Sequence, residues 1–519
     1  MTASLPPGLS QRAFDRALSA FEGAVGKHWV LATEQDRDSY TDLYTPGDPA
    51  QHAPAAAVAP GTVEEVQAVV RLANENRVPL WPISRGKNLG YGGSAPRLPG
   101  SVVLDLGRMK RILEVNEQHG YCLVEPGVGF FDLYQHLQDH KIGLWMSVPG
   151  NAWGSVMGNA LDRGIGHTPY GDHAAQICGL EVVLPTGELL RTGMGAMQGS
   201  ASWQLHKHGF GPEWDPAFVQ SNFGVVTKMG LWLMRAPEST VSMRMSLPEP
   251  DDIGWAIDTL VALRRRGIIT QNLSVSSYIA QATMRSQRYE WQKESGPLSA
   301  AAISAMMRAY NVGWWNFNIQ LFGLPEVNDI HVKLIRAAFV GKTDQEFKVT
   351  RWKQGEPMEL SGAGVPSVLA LQMINWHGGR GGHLGFSPVL PQDGALALKQ
   401  FRNTRARYEE FGQDYFGTFY LGDRHMTNVN MMAFDRDDAD MTGKARALFA
   451  ALIKDAAADG YAEYRTHLSY MDNVAGTFNF NNHALRAFNE RVKDAIDPNG
   501  ILAPGKSGIW PKNYRRYRT

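Results

Sequence analysis

Cysteine is nearly absent: the 519 residues contain two, Cys122 and Cys178. Both lie inside apolar runs, YCLVEPG and ICGLEVVLP, which is the setting of buried thiols. So low a count excludes a cysteine framework for zinc, an iron–sulfur cluster or haem. Charge of one sign is not in excess either, since 51 Lys plus Arg offset 51 Asp plus Glu. A near-zero balance gives no reason to expect nucleic acid or an anionic lipid surface as partner, and nothing basic clusters before Arg515, Arg516 and Arg518. No apolar run approaches the roughly 18 residues of a membrane-spanning helix. The opening MTASLPPGLSQRAFDRALSAF lacks a charged segment followed by an apolar one, so the expectation is a cytoplasmic protein without a membrane partner. Among the histidines (His167, His173, His206, His208, His377, His467) no HExxH-type pair occurs, and no metal site is expected. His206 and His208 read as neighbours on one strand face.

What is present is a long chain of ordinary globular composition, 44% hydrophobic and 20% charged, which implies at least two domains. Ser10 after a Pro-Pro-Gly stop opens a helix to about Val25. AAAVAP (55–60) reads as a short buried strand. Thr62 with Glu65 three residues on forms a capping box for the helix that follows. VPLWPIS, SVVLDL, CLVEPG and LEVVLP are further strands. From about Ala236 the pattern restarts. MRMSLPEP is a strand leading to a helix from about Pro250 to Arg266, and GWWNFNIQLFG precedes a helix near Glu326–Phe339. Lys342 to Pro366 is polar and glycine-rich and reads as a loop. A helix near Leu396–Phe411 and the strand DYFGTFYLG complete this second unit. The predicted boundaries are 1–237 and 238–460, with 461–519 returning to the first unit.

Three glycine-punctuated loops carry the chemistry of the first unit. SRGKNLGYGG (84–93) follows a strand, and its glycines let backbone N–H groups approach a phosphate. Taken alone, it reads equally well as a tight turn. WGSVMGNALDRGIGHTPYGDH (153–173) mixes five glycines with Ser155, Asn159 and Thr168, and QSNFGVVTKMGLWLM (220–234) sets Gly224 before an apolar strand. Neither the Rossmann nor the Walker A spacing is met. Three donor-rich loops point to a dinucleotide, and none shows the nicotinamide pattern.

The succession TVEEVQAVVRLAN, GKNLGYGG, VEPGV, DRGIGHTPYGDH, LPTGELLRTGMGA resembles the FAD-binding domain of the vanillyl-alcohol oxidase and para-cresol methylhydroxylase flavoprotein family, with eugenol oxidase-type members nearest. GGHLGFSPV, EYRTHLSYMD and DPNGILAPGKSGIWP extend the resemblance over nearly the whole chain. It implies an α+β, two-domain FAD-binding fold with an α+β cap. It implies FAD held by Ser84, Gly86, Lys87, Asn88, Gly90, Gly92, Gly154, Ser155, Gly158, Asn159, Gly164, Thr168, Pro169, Tyr170, Gly171, Gly224, Val225, Val226 and Lys506. In the oxidases of the family the histidine of the GGHLxFSP segment is bonded to the flavin 8α carbon. Here that is His383, and such a bond would raise the flavin potential. In the cresol branch a tyrosine serves instead, and the matching position is Ile374, which cannot.

Tyr91, Tyr464 and Arg465 match the family's phenol-oxygen site. A guanidinium and two phenolic donors stabilise a phenolate, which makes the benzylic C–H a hydride donor to flavin N5 and leaves a para-quinone methide. The implied activity is oxidation of para-substituted phenols with O2 as acceptor and hydrogen peroxide as product. The alternative is a 4-alkylphenol dehydrogenase that passes electrons to a cytochrome c, and beyond it a non-catalytic flavin-binding protein. The family also implies a homodimer or larger homo-oligomer. Two positions depart from the pattern: the oxidases' aspartate falls at Gly150, beside Asn151, and the cresol branch's acid falls at Thr418. Both are pocket positions in this reading, and the base is left unassigned, with substrate range shifted toward alkyl or bulkier phenols.

Overall fold

The computed structural model describes residues 5–519 apart from Thr45, Pro357, Glu359 and Leu360. The first helix, Gln11–Val25, begins where the sequence places it, with the Ser10 side chain accepting the Ala13 N–H. Its buried residues Phe14, Ala17, Phe21 and Val25 fall three and four apart, one face of a helix. That face packs on the helix Val63–Asn76, whose own buried set is Val63, Val66, Val69, Val70 and Ala73. Each large apolar side chain so buried contributes about 1.5–3 kcal/mol. Thr62 caps the second helix by accepting the Glu65 N–H, and the Glu65 carboxylate reaches one residue further back than a capping box requires, to the Gly61 N–H at 2.6 Å.

Four short strands form the sheet beside these helices, in the order Val30–Leu31, Ala56–Val58, Val102–Asp105, Leu80–Ile83. The last three run parallel and are apolar nearly throughout, as parallel strands covered on both faces must be. The C-terminal tail returns to this layer: Leu502 bridges Leu80, and Ile501 and Leu502 lie in the same core. A second, antiparallel sheet of five strands follows in the order Ile112–Asn116, Tyr121–Val124, Val225–Trp232, Ile177–Val183, Leu189–Arg191. Cys122 and Cys178 are fully buried in it, as their apolar surroundings predict.

The third sheet is antiparallel and has eight strands among the described residues. Its path is Lys348–Lys353, Ser239–Leu247, Trp315–Gly323, Leu273–Ser277, Gly417–Leu421, His425–Asp435 and Gly381–Phe386, with Val389–Pro391 also paired to His425–Asp435. Alternation splits it into two faces. Phe317, Val275, Phe419, Leu421, Met432, Phe434, Leu384 and Phe386 form one face and the largest core. The opposite face carries Thr418, Tyr420, Val429 and His383, because Thr418 pairs with Val429 and His383 with Ala433 in register.

Three local expectations are corrected. The segment 342–366 is not all loop: Lys348–Lys353 is an edge strand on Ser239–Leu247, and its charged, largely exposed sequence KVTRWK is how edges avoid further pairing. The helix from Pro250 opens as a single tight turn, Pro250–Asp252, before Ile253–Arg265. His206 and His208 are not on a strand; their rings meet edge to face across a turn at 5.2 Å. Among the described residues no helix is long and apolar enough to cross a membrane, and no group of His, Cys, Asp and Glu is placed to hold a metal ion.

Candidate active site

A long cleft runs where the first two sheets meet the returning tail. It encloses about 1380 Å³ of atom-free space, counting the solvent at its mouth. The loop after strand Leu80–Ile83 supplies Ser84, Gly86, Lys87, Asn88, Tyr91 and Gly92; the turn before the short helix Val156–Leu161 supplies Asn151, Gly154 and Ser155, with Gly158 and Asn159 on that helix. Gly224, Val225 and Val226 line it from the start of a long strand, and Lys506 from the tail. Nothing stands within 4 Å of where a side chain at Gly154 would begin, so its backbone is bare.

Tyr91, Tyr464 and Arg465 come together at one end. The Arg465 guanidinium lies 4.0 Å from the Tyr91 ring centre and 5.6 Å from that of Tyr464. Backbone bonds fix the group from two directions: the Leu468 N–H donates to the Tyr91 carbonyl at 3.3 Å, and Gln220 Nε2 donates to the Tyr464 carbonyl at 2.9 Å. Burial pushes the Tyr464 phenol up from its ordinary range, against the pull of Arg465. Asp162 sits behind the arginine, bonded by Lys506 Nζ at 3.0 Å and Asn88 Nδ2 at 2.9 Å. Burial alone would raise this carboxyl, but Lys506 and Arg465 hold it below the usual range.

His383 enters from the large sheet, on the strand Gly381–Phe386. A side chain at Gly90 would run into its ring, so the glycine (φ 77°) is what lets histidine and loop meet. Tyr44 stacks edge-on to the ring at 5.9 Å, and its Nδ1 is buried with no partner. Burial pushes this imidazole down to about 4. Beside it lies a buried pair, Asp42 and His467, at 2.8 Å.

Residues 54–193 match a family model described as an FAD binding domain, and residues 390–507 one described as the C-terminal domain of FAD linked oxidases. The flavoprotein subunit of 4-cresol dehydrogenase (hydroxylating) from Pseudomonas putida is 35% identical, over 98% of this chain and 98% of that one. The solved structure of 4-ethylphenol oxidase from Gulosibacter chungangensis, in complex with isoeugenol, superposes with a TM-score of 0.94 at 36% identity, covering 99% of this chain and all of that one. That of p-cresol methylhydroxylase with substrate bound gives 0.92 at 34%, covering 98% and 99%. The chain belongs to the vanillyl-alcohol oxidase and para-cresol methylhydroxylase flavoprotein family. It is an FAD-dependent oxidoreductase of the α+β two-domain type expected.

The cleft of this family member fits FAD on its own evidence. Lys87, Lys506 and Arg465 against Asp162 leave two positive charges over in its lining, which suits a doubly charged pyrophosphate. Ser84 and Ser155 set hydroxyls in the lining, and the buried Nδ1 of His383, which meets the same glycine loop at Gly90, has no partner among the described residues. Not every expected residue faces this space. Gly90, Gly164, Thr168, Pro169, Tyr170 and Gly171 lie outside the cleft lining; the Thr168 hydroxyl accepts the Tyr170 N–H at 3.1 Å, and the Gly171 carbonyl accepts the Gly166 N–H at 2.8 Å. The Ile374 carbonyl lies against the His383 strand at Gly381. Thr418 hydrogen-bonds Ser276 at 3.1 Å on the sheet face that also carries His383. Gly150 is exposed although Val148, Pro149 and Ala152 around it are buried. Three residues of the site were missed. Asp162 stood in the motif DRGIGHTPYGDH and could have been found there. Gln220 likewise headed the loop QSNFGVVTKMGLWLM, whereas Tyr420 could not be found, because only tertiary packing brings it in. Tyr420 faces Tyr91 and Tyr464, and burial pushes its phenol up to about 12.

Proposed function

We propose that the chain oxidises para-substituted phenols, 4-alkylphenols above all, at the benzylic carbon, with O2 as electron acceptor and hydrogen peroxide as product. The observation that carries this reading is Arg465 lying against both Tyr91 and Tyr464 at the end of a flavin cleft. The relatives point the same way: they are named as enzymes acting on 4-cresol and 4-ethylphenol. In this mechanism the three side chains bind the phenol through its oxygen and hold it as phenolate. Arg465 supplies the charge, Tyr91 and Tyr464 the hydrogen bonds, and Asp162 with Lys506 fixes the arginine from behind. Electron density pushed into the ring loosens the benzylic hydride, and bound FAD supplies the acceptor for it. Tyr420 faces Tyr91 and Tyr464 from the sheet side, and the space between these side chains is the chamber in which the phenol would sit.

His383 is assigned the covalent flavin bond, supported by its contact with Gly90 and its unpartnered Nδ1. That assignment favours O2. The flavin-binding unit is assigned to 1–237 and 461–519 and the cap to 238–460, a division that follows the three sheets. Assembly into a homodimer or larger belongs to the same proposal, supported by exposed Phe478, Phe480, Leu485 and Phe488 near the tail; light scattering tests it.

Anaerobic titration with 4-ethylphenol, followed by air, tests the whole. Bleaching followed by recovery with peroxide is the expected result. Bleaching that persists in air shifts the acceptor to a cytochrome. No bleaching with any para-substituted phenol refutes the phenol reading.

A further inference from the structure

Once hydride has left the benzylic carbon, adding water to the quinone methide requires a group that takes a proton from that water. The ionisable side chains of the chamber mostly cannot do so. Asp162 is bonded to Lys506 and Asn88. Glu463 is 5% exposed, accepts the Ser387 N–H at 2.8 Å, and is pushed up to about 8 by burial, so it keeps its proton at neutral pH. Tyr420 and Tyr464 are pushed up as well, and Arg465 is a cation. His383 is committed to Gly90 and the flavin side.

His167 is different. It lies in the loop between the helix Val156–Leu161 and the strand Ile177–Val183. Its ring centre is 6.0 Å from that of Tyr420, which in turn faces Tyr91 and Tyr464. Its Nε2 is 3.8 Å from where a side chain on Gly150 would begin, and nothing else stands within 4 Å of that point. A histidine kept for packing has a ring nitrogen satisfied, as His173 has through Asn159 at 2.6 Å and His467 through Asp42 at 2.8 Å. No protein group among the described residues hydrogen-bonds the His167 ring.

We propose that His167 is the base for hydration, occupying the chamber beside the bare Gly150 and taking the proton of the water that adds to the benzylic carbon. The inference rests on the phenol reading above. The electrons and atoms balance as follows. The phenolate loses a hydride to FAD and becomes a neutral quinone methide. The water oxygen then bonds to the benzylic carbon, the ring's electron pair returns to the phenolate oxygen, and one water proton passes to His167 Nε2 and on to solvent. The product is a 4-hydroxybenzylic alcohol. Burial pushes His167 down to about 4, so it meets the water with its lone pair free. The titratable groups facing it are Tyr420 from the strand Gly417–Leu421 and His173 from its own loop, the latter pushed down to about 3, again by burial.

The test is anaerobic stopped flow of the holoenzyme with 4-ethylphenol, following flavin bleaching and quinone-methide absorbance separately. In His167→Asn, quinone-methide decay should slow about 100-fold more than bleaching does. Adding Gly150→Asp to that variant places a carboxylate in open space and should recover at least about a tenth of the decay rate. In the native enzyme decay should be flat at neutral pH and fall toward pH 4 as His167 takes a proton; the variant should lack that fall. Decay slowed no more than bleaching, or no recovery with Gly150→Asp, overturns the assignment while the phenol reading stands. A native enzyme not bleached by 4-ethylphenol overturns both.

Discussion

Arg465 carries more of the proposed chemistry than any other side chain, and its surroundings say what its loss would do. It is set against two phenol rings and one carboxylate, and Tyr464, Tyr91 and Asp162 outweigh burial in keeping it cationic. Arg465→Ala should lower the rate of flavin bleaching by 4-ethylphenol by about 10²–10³-fold, the usual effect of removing one donor from a developing oxyanion. Arg465→Lys should recover little, since a point charge cannot serve the same flat, forked geometry. His383→Ala is predicted to leave FAD bound but releasable: acid precipitation should free the flavin from the variant and not from the native protein. Flavin staying with the precipitated variant would move the attachment to another residue. These residues were legible in the sequence because they stand in long family-like motifs. His167 was also visible, but only as one histidine among several, since its empty neighbour at Gly150 is a fact of three dimensions.

At the scale of elements, the tail is held by a buried ionic knot. Lys493, on the helix Phe480–Ile496, is fully buried with Asp497 at 2.7 Å. Its Nζ also donates to the carbonyls of Asn222 at 2.5 Å and Leu502 at 2.8 Å, while Asp497 accepts the N–H groups of Ile501 and Leu502, both at 2.9 Å. Asn222 and Leu502 line the cleft, so the knot fixes one wall of the flavin site. Lys493→Met leaves Asp497 buried without its partner and should cost about 3–5 kcal/mol, read as a lower denaturant midpoint and weaker FAD retention. The double variant Lys493→Met with Asp497→Leu should be less damaged than the single one, because no unpaired charge remains. Nothing in the sequence pointed to this pair; an i,i+4 Lys and Asp on a polar helix ordinarily face water. The helices themselves were legible because caps and apolar spacing are local. The edge strand Lys348–Lys353 was not, since what makes it a strand is its partner Ser239–Leu247.

For the whole molecule, the dominant response to pH comes from histidines buried without charge. Burial pushes His52 and His173 down to about 3, and His167 down to about 4, against an ordinary value of 6.5. Between pH 6.5 and about 4 the unfolded chain therefore binds protons that the folded chain refuses, so stability falls as pH is lowered through that window. His136 and His377 shift the same way. Glu463 acts in the opposite sense. Burial raises it from 4.5 to about 8, so the folded chain holds its proton where the unfolded chain has lost it, and stability declines as pH rises across that range. Below pH 6.5 three strongly shifted histidines outweigh one carboxyl; above it the carboxyl dominates. Thermal stability should accordingly peak near pH 6.5, fall by at least about 5 °C by pH 4.5, and decline more gently toward pH 8. Scans of Tm against pH check this, and Glu463→Gln should abolish the alkaline decline while leaving the acid limb in place. A peak well below pH 6 would mean that the buried histidines take up protons in the folded protein, and His167 could not then enter hydration as a free base.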